Sequence, residues 1–229
     1  MSMEETGVNL SSWNGASRPQ RIVLDGVYAR LEPLDPACHA RDLFDVTQEA
    51  GAEERHRYLV DAVPLHEADF VRWTEGAAAS DDPLFFAVID KATRRAEGRQ
   101  ALMRIDPKHG VIEIGSILWG PAIARTRVTT EAFYLAASYI FDTLGYRRFE
   151  WKCDSRNVPS KNSATRFGFT FEGLFRDHMI IRGENRDTAW FSITRPEWPR
   201  LSAALTTWLD PSNFDAAGRQ VRRLEECRT

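Results

Sequence analysis

The chain has 229 residues, 43% of them hydrophobic, which suits one domain with a substantial core. Its 30 basic and 33 acidic residues leave a net charge of −3, which gives no electrostatic case for a nucleic-acid or membrane partner. Cys38, Cys153 and Cys227 are few, odd in number and widely spaced, so they indicate neither a disulfide framework nor a metal cluster. The opening MSMEETGVNLSSWNG is acidic and lacks an apolar run, unlike a secretory signal, and no stretch approaches the length of a membrane span. A reducing cytoplasm is the expected compartment.

Residues 1–20 are polar and rich in Gly, Ser and Asn, and read as a loosely ordered arm. Residues 21–210 read as a single domain and 211–229 as a polar tail. Arg21 to Leu34 predicts a hairpin-like start turning at Asp25-Gly26. Asp35-Pro36 opens a helix carrying Leu43, Phe44 and Val46. A charge-rich stretch, 49–61, precedes a second helix over His66–Ala78. His39, His56, His66 and His109 read as surface residues.

From Pro83 the β pattern takes over. Leu84 to Ile89 is a nearly continuous apolar run, as in a strand covered on both faces. Gln100–Ile105 and Val111–Trp119 continue a meander. Phe133, Ala136, Ala137, Ile140, Phe141 and Leu144 then share one face of a helix over Thr129–Leu144. A strand from Arg148 can lie parallel to the one at Val111 through a right-handed crossover.

Phe149, Trp151 and Cys153 alternate with Arg148, Glu150 and Lys152, the period of a half-buried strand. Asp154 to Asn157 is a turn, Pro159 to Phe167 a short helix, and Gly168 its cap. Phe169 to Ile181 and Thr188 to Ile193 form a hairpin around Gly183-Glu184-Asn185. Opposite charges across its ladder predict structural roles for Arg176, Arg186 and Asp187. His178 is expected to be a structural hydrogen-bonded histidine. Trp190 and Trp198 are expected in the core or an interface. A helix over Pro196–Leu209 closes the domain.

Several marks in this half occur in a familiar order. They are N-x-x-S at Asn157 and Ser160, F-G-F at Phe167–Phe169, E-G-x-x-R at Glu172, Gly173 and Arg176, R-D-T at Arg186–Thr188, and E-W-P at Glu197–Pro199. The segment resembles the GNAT superfamily of acetyl-CoA-dependent N-acetyltransferases, in the branch that includes the ribosomal-protein-alanine acetyltransferases. The resemblance implies an α/β (α+β) fold: a mixed, mostly antiparallel sheet, splayed at its centre and flanked by helices. It implies acetyl-CoA as cosubstrate, no metal, and N-acetylation of a primary amine on a protein N-terminus or a small molecule. A catalytically silent CoA-binding or protein-interaction module is the alternative, and a homodimer is left open.

The resemblance also implies site residues. The family's glycine-rich loop before the helix at Thr129 holds pyrophosphate on backbone amides. Here Arg125, Thr126, Arg127, Val128, Thr129 and Thr130 occupy that stretch, with the glycines missing and T-E-A retained at Thr130–Ala132. The two arginines either add charge to that anion site or are solvated loop residues. Glu113 is either the general base or a carboxylate paired with an arginine on a neighbouring strand. Ser160 is either the hydrogen-bond partner of the leaving sulfur or a first-turn polar residue. The family often has a tyrosine there, and no tyrosine follows Tyr146. Asn157 would bind pantetheine or begin an Asx-turn. Backbone N–H groups of Ile117 and Trp119 would hold the thioester and pantetheine.

Overall fold

A computed structural model describes residues 9–228. In chain order the elements are β1 (Leu24–Asp25), β2 (Ala29–Pro33), α1 (Pro36–Gln48), α2 (Ala52–His56), α3 (Glu67–Ala79), β3 (Leu84–Asp90), β4 (Arg95–Asp106), β5 (Val111–Trp119) and α4 (Arg127–Ser138). A π-helical turn, Tyr139–Thr143, extends α4. Then come β6 (Arg148–Asp154), α5 (Val158–Phe167), β7 (Thr170–Ile181), β8 (Glu184–Thr194) and α6 (Trp198–Leu209). The strands form one sheet in the order β1-β2-β3-β4-β5-β6-β8-β7, antiparallel throughout except between β5 and β6. The mixed sheet flanked by helices is the architecture the sequence implies.

Local chemistry places the helix ends. Asp35 caps α1 by accepting from the Ala37 N–H at 2.9 Å, with Pro36 in the first turn. Thr126 caps α4, so this helix begins before the expected Thr129. Gly168 ends α5 with a φ of 97°, and a Cβ there would lie 2.5 Å from Leu201 Cδ2. Both the left-handed backbone and the close approach of α6 require glycine.

Strand alternation divides the residues between the two faces of the sheet. Ile112 and Ile114 of β5, with Phe149, Trp151 and Cys153 of β6, join Phe133 of α4 and Phe167 of α5 in one core. The Phe133 and Phe167 rings stack at 4.3 Å. On the other face α1 and α3 cover β3 and β4 through Leu43, Phe70, Ala87 and Ile89. Beyond them, β5 to β8 carry polar and charged side chains. Edge strand β7 leaves Phe171, Leu174, Phe175 and Ile180 exposed.

The first eight residues of the expected arm lie outside the described residues. Residues 9–20 run along the domain: Trp13 Nε1 donates to the Lys108 carbonyl at 2.7 Å, and the Gln20 N–H to the Tyr139 hydroxyl at 2.9 Å. The segment after α6 also docks, with Asn213 and Leu224 buried and Arg228 donating to the Thr165 carbonyl. His66 and His109 are exposed as expected, but His39 and His56 are not. His39 accepts from the Asp35 N–H and meets Glu32 at 3.0 Å, and His56 Nδ1 lies 2.9 Å from the Ala52 carbonyl. Local partners thus satisfy both ring nitrogens of His39 and one of His56.

Candidate active site

The parallel β5–β6 pairing runs from Val111↔Arg148 to Ile114↔Trp151 and stops. Beyond it, Gly115–Trp119 has no partner on the β6 side. This is the central splay. On the β4 side, Ala101 pairs with Gly115 and Arg99 with Leu118, so Gln100 faces both Ser116 and Ile117. That is a β-bulge, and Ser116 has a φ of 50°. The extra residue changes the phase of alternation. Ile117 and Trp119 thereby turn to the α4 side and pack on its core.

Arg99 underpins the bulge. Its Nη1 donates to the Ser116 carbonyl at 2.9 Å and to its hydroxyl at 2.6 Å. Its Nη2 bonds Asp61, from the segment between α2 and α3. The guanidinium lies 4.4 Å from the Trp73 ring centroid. Arg99 is 1% exposed, and burial pushes its pKa down against the opposing pull of Asp61.

Glu113 lies three residues before Ser116, on the face away from α4, and is 3% exposed. Its Oε2 accepts from Arg104 at 2.7 Å and meets Lys152 Nζ at 3.1 Å. The row continues from Lys152 to Glu150 at 2.7 Å, Glu150 to Arg148 at 2.7 Å, and Arg148 to Glu172 at 2.8 Å. Signs alternate across β4, β5, β6 and β7. The ion-paired role foreseen for Glu113 is therefore present. Its Oε1 remains without a hydrogen-bond partner among the described residues. A Cβ on Gly115 would lie 3.3 Å from that oxygen, on the bulge side.

At the start of α4, Arg125, Thr126, Arg127 and Val128 line a cavity of about 810 Å³. Thr126 accepts from the Val128 N–H, while the N–H groups of Arg127 and Thr129 have no partner among the described residues. Arg125 has a φ of 63°. Arg127 stacks on Tyr28, 4.3 Å from the ring centroid. Thr129 and Thr130 are buried behind this turn, both hydroxyls donating to the Thr126 carbonyl. The opposite wall includes Lys91, Phe214 and Arg219. The sequence reading missed this tail contribution because residues 211–229 carry no periodic pattern.

Asn157 caps α5 by accepting from the Ser160 N–H at 3.0 Å, which is the Asx-type role. Ser160 Oγ accepts from Trp151 Nε1 at 2.9 Å. Burial pushes the neighbouring Cys153 thiol up, opposed by its hydrogen bond with Ser160.

The candidates thus fall into three places: the splay with Ile117, Trp119 and Glu113, the turn at Arg125–Thr130, and the start of α5 with Asn157 and Ser160. Among the described residues no group of three or more His, Cys, Asp or Glu side chains is arranged to hold a metal.

The hairpin departs from one expectation. Arg176 is exposed, and neither it nor Arg186 has a carboxylate within 4 Å among the described residues. The bulge between Phe175 and Met179 shifts the register and separates the charges expected to pair. Asp187 is structural by another route, accepting from the Asp177 N–H at 2.8 Å and from Asn185 at 3.1 Å. His178 meets the Thr188 hydroxyl at 2.9 Å, the structural role expected. Trp198 is buried in the core, and Trp190 lies 3.7 Å below Lys152 Nζ. Neither Arg99 nor Asp61 stood out in sequence.

A mixed sheet splayed beside a bulge and flanked by helices is the GNAT fold. The acetyltransferase (GNAT) domain family matches residues 29–170, and the chain belongs to that family of acetyltransferases. The structure is similar to a GCN5-related N-acetyltransferase from Brucella melitensis (52% identity, TM-score 0.94, covering 95% of this chain and 98% of that one). It is also similar to a probable acetyltransferase of the GNAT family from Chromobacterium violaceum (35% identity, TM-score 0.79, covering 87% and 99%). The uncharacterized N-acetyltransferase p20 of Bacillus licheniformis is 32% identical over 117 residues, which span 49% of this chain and 63% of that protein. The ribosomal L7/L12 α-N-protein acetyltransferase RimL shares the fold at 16% identity (TM-score 0.65, covering 76% and 94%).

Proposed function

We propose that the protein transfers the acetyl group of acetyl-CoA directly to a primary amine. The observation that carries this is the unpaired β5 edge, Gly115–Trp119, opening beside Glu113. An extended pantetheine amide chain can pair with such an edge as an added strand does. The turn at Arg125–Thr130 supplies free N–H groups and two cations for the pyrophosphate. Its lost glycines are offset by side-chain charge. The family membership supports the cosubstrate.

In the transfer, the neutral amine attacks the thioester carbonyl carbon, and backbone N–H groups at the bulge stabilise the developing oxyanion. Glu113 Oε1 takes the proton released by the nitrogen, directly or through water. As the C–S bond breaks, the Ser160 hydroxyl donates a hydrogen bond to the departing sulfur. Its oxygen accepts from Trp151, and its one O–H, which rests on the Cys153 sulfur, turns from there to the departing sulfur. The thiolate then takes a proton from solvent. The three unbridged cysteines fit a reducing cytoplasm.

A silent CoA-binding or interaction module is favoured by one observation: Glu113 Oε2 is already held by Arg104 and Lys152. Thiol release from acetyl-CoA in the presence of an amine panel separates the two. Acceptor-dependent release supports the enzyme, and CoA binding without release supports the module.

A further inference from the structure

We propose that the acceptor amine carries a carboxylate, and that Arg186 receives it in the cavity between the α2–α3 segment and the β7–β8 turn. The word acceptor rests on the acetyltransferase reading above; the carboxylate site itself does not.

This cavity measures about 200 Å³ and lies at the C-terminal end of β6, past the splay. Arg57 and Tyr58 form one wall, Asp154 and Arg156 the floor, and the β7–β8 turn the other wall. Arg186 lies two residues before Thr188, which pairs with Asp154, so its side chain shares the face of the Glu113 row. Glu113 and Arg104 both act on it through space.

Arg186 lacks what a covered guanidinium needs. Its Nε is buried with no hydrogen-bond partner, and no carboxylate lies within 4 Å among the described residues. Asp154 has both oxygens taken by Arg156, at 3.0 and 2.9 Å. Arg182 is spent on the carbonyl of Arg57. Burial pushes the Arg186 pKa down, and Asp154 opposes this only in part. The lining therefore holds four guanidiniums against two carboxylates. A half-buried guanidinium with no carboxylate partner and a buried, idle Nε donor is costly unless a ligand completes it.

An anion with two coplanar oxygens matches the guanidinium fork. Asp154 and Glu184 in the walls repel a doubly charged group more than a singly charged one. A carboxylate is favoured over a phosphate for that reason. The volume suits a small acceptor or the first residues of a peptide.

The test compares each amine bearing a carboxylate with its own carboxamide, for example alanine with alaninamide and β-alanine with β-alaninamide. Thiol release from acetyl-CoA gives KM and kcat. Wild type should prefer the carboxylates by roughly 10–100-fold in kcat/KM, the worth of a charged hydrogen-bonded contact. Arg186→Gln should erase the preference by raising KM for the carboxylates, and Arg186→Lys should restore part of it. Melting of each variant checks folding. If Arg186→Gln does not fold, Arg186→Lys carries the comparison, and an unreduced preference there overturns the proposal.

Calorimetry with glutamate in the absence of acetyl-CoA gives an arm independent of turnover. Arg186-dependent glutamate binding without any acetyl-CoA binding would sink the acetyltransferase reading and leave the carboxylate site standing. Amine acetylation with no carboxylate preference would do the reverse. Equal or better use of phosphoethanolamine would also overturn the carboxylate assignment.

Discussion

Arg99 Nη1 donates to both the carbonyl and the hydroxyl of Ser116, at 2.9 and 2.6 Å, and so holds the bulge in β5 from below. The same guanidinium bonds Asp61 and stacks on Trp73. One buried side chain thus ties the α2–α3 segment to the backbone beside the splay.

Arg99→Met should therefore affect both stability and rate. Losing the cation leaves the Ser116 carbonyl and the partly exposed Asp61 without this partner, at roughly 1 kcal/mol for each lost hydrogen bond. The melting temperature should fall by several degrees. At temperatures where the variant is folded, kcat should fall more than the affinity for acetyl-CoA, because the thioester donors move while the phosphate turn does not. Unchanged kcat in the folded variant would show that the bulge needs no support from Arg99.

Arg125 and Arg127 should separate on mutation. Arg125 makes no ion pair among the described residues, so Arg125→Ala should weaken CoA binding and leave melting of the free protein unchanged. Arg127 stacks on Tyr28, so Arg127→Ala should also cost up to about 1 kcal/mol of stability. Calorimetry with CoA and thermal melts read both effects. CoA affinity equal to wild type in both variants would remove the pyrophosphate from this turn.

Glu113→Gln should lower kcat by about 10²–10³-fold, within the range for loss of one general base, with little change in acetyl-CoA affinity. Full activity across pH 6–9 would assign Glu113 to the ion-pair row alone.

The edge strand should respond to acid. Hydrogen bonds from Arg148 hold the Glu172 carboxyl at about 2, below its ordinary 4.5. A depressed folded pKa means stability that is present above about 4.5 and lost as pH falls toward 2. The pair is partly exposed, so the effect is reduced by solvent and salt. Melting temperature should fall through that window in wild type and less steeply in Glu172→Gln. Parallel curves for the two proteins would remove Glu172 as a contributor.

The sequence carried the order of elements because most of them have period and punctuation. The Phe149–Cys153 alternation, the Gly168 cap and the Pro36 and Pro159 helix starts each express a local rule. The site is less legible because its parts meet only in the folded sheet. Glu113 could be placed on a face, but its partners Arg104 and Lys152 come from two other strands. The bulge at Ser116 is announced only by the neighbouring Gly115, while the left-handed φ falls on the serine. Glu131, inside the T-E-A mark, accepts the N–H groups of Val27, Tyr28 and Ala29, over a hundred residues away. The missing loop glycines were visible, but the tail that faces the loop was not.

The central claim is acetyl transfer, and thiol release from acetyl-CoA across an amine panel tests it most directly, with product mass as the check. The account predicts saturable release that depends on the acceptor and yields an acetylated amine. Saturable CoA binding with release no faster than in buffer, for every amine tried, would contradict it.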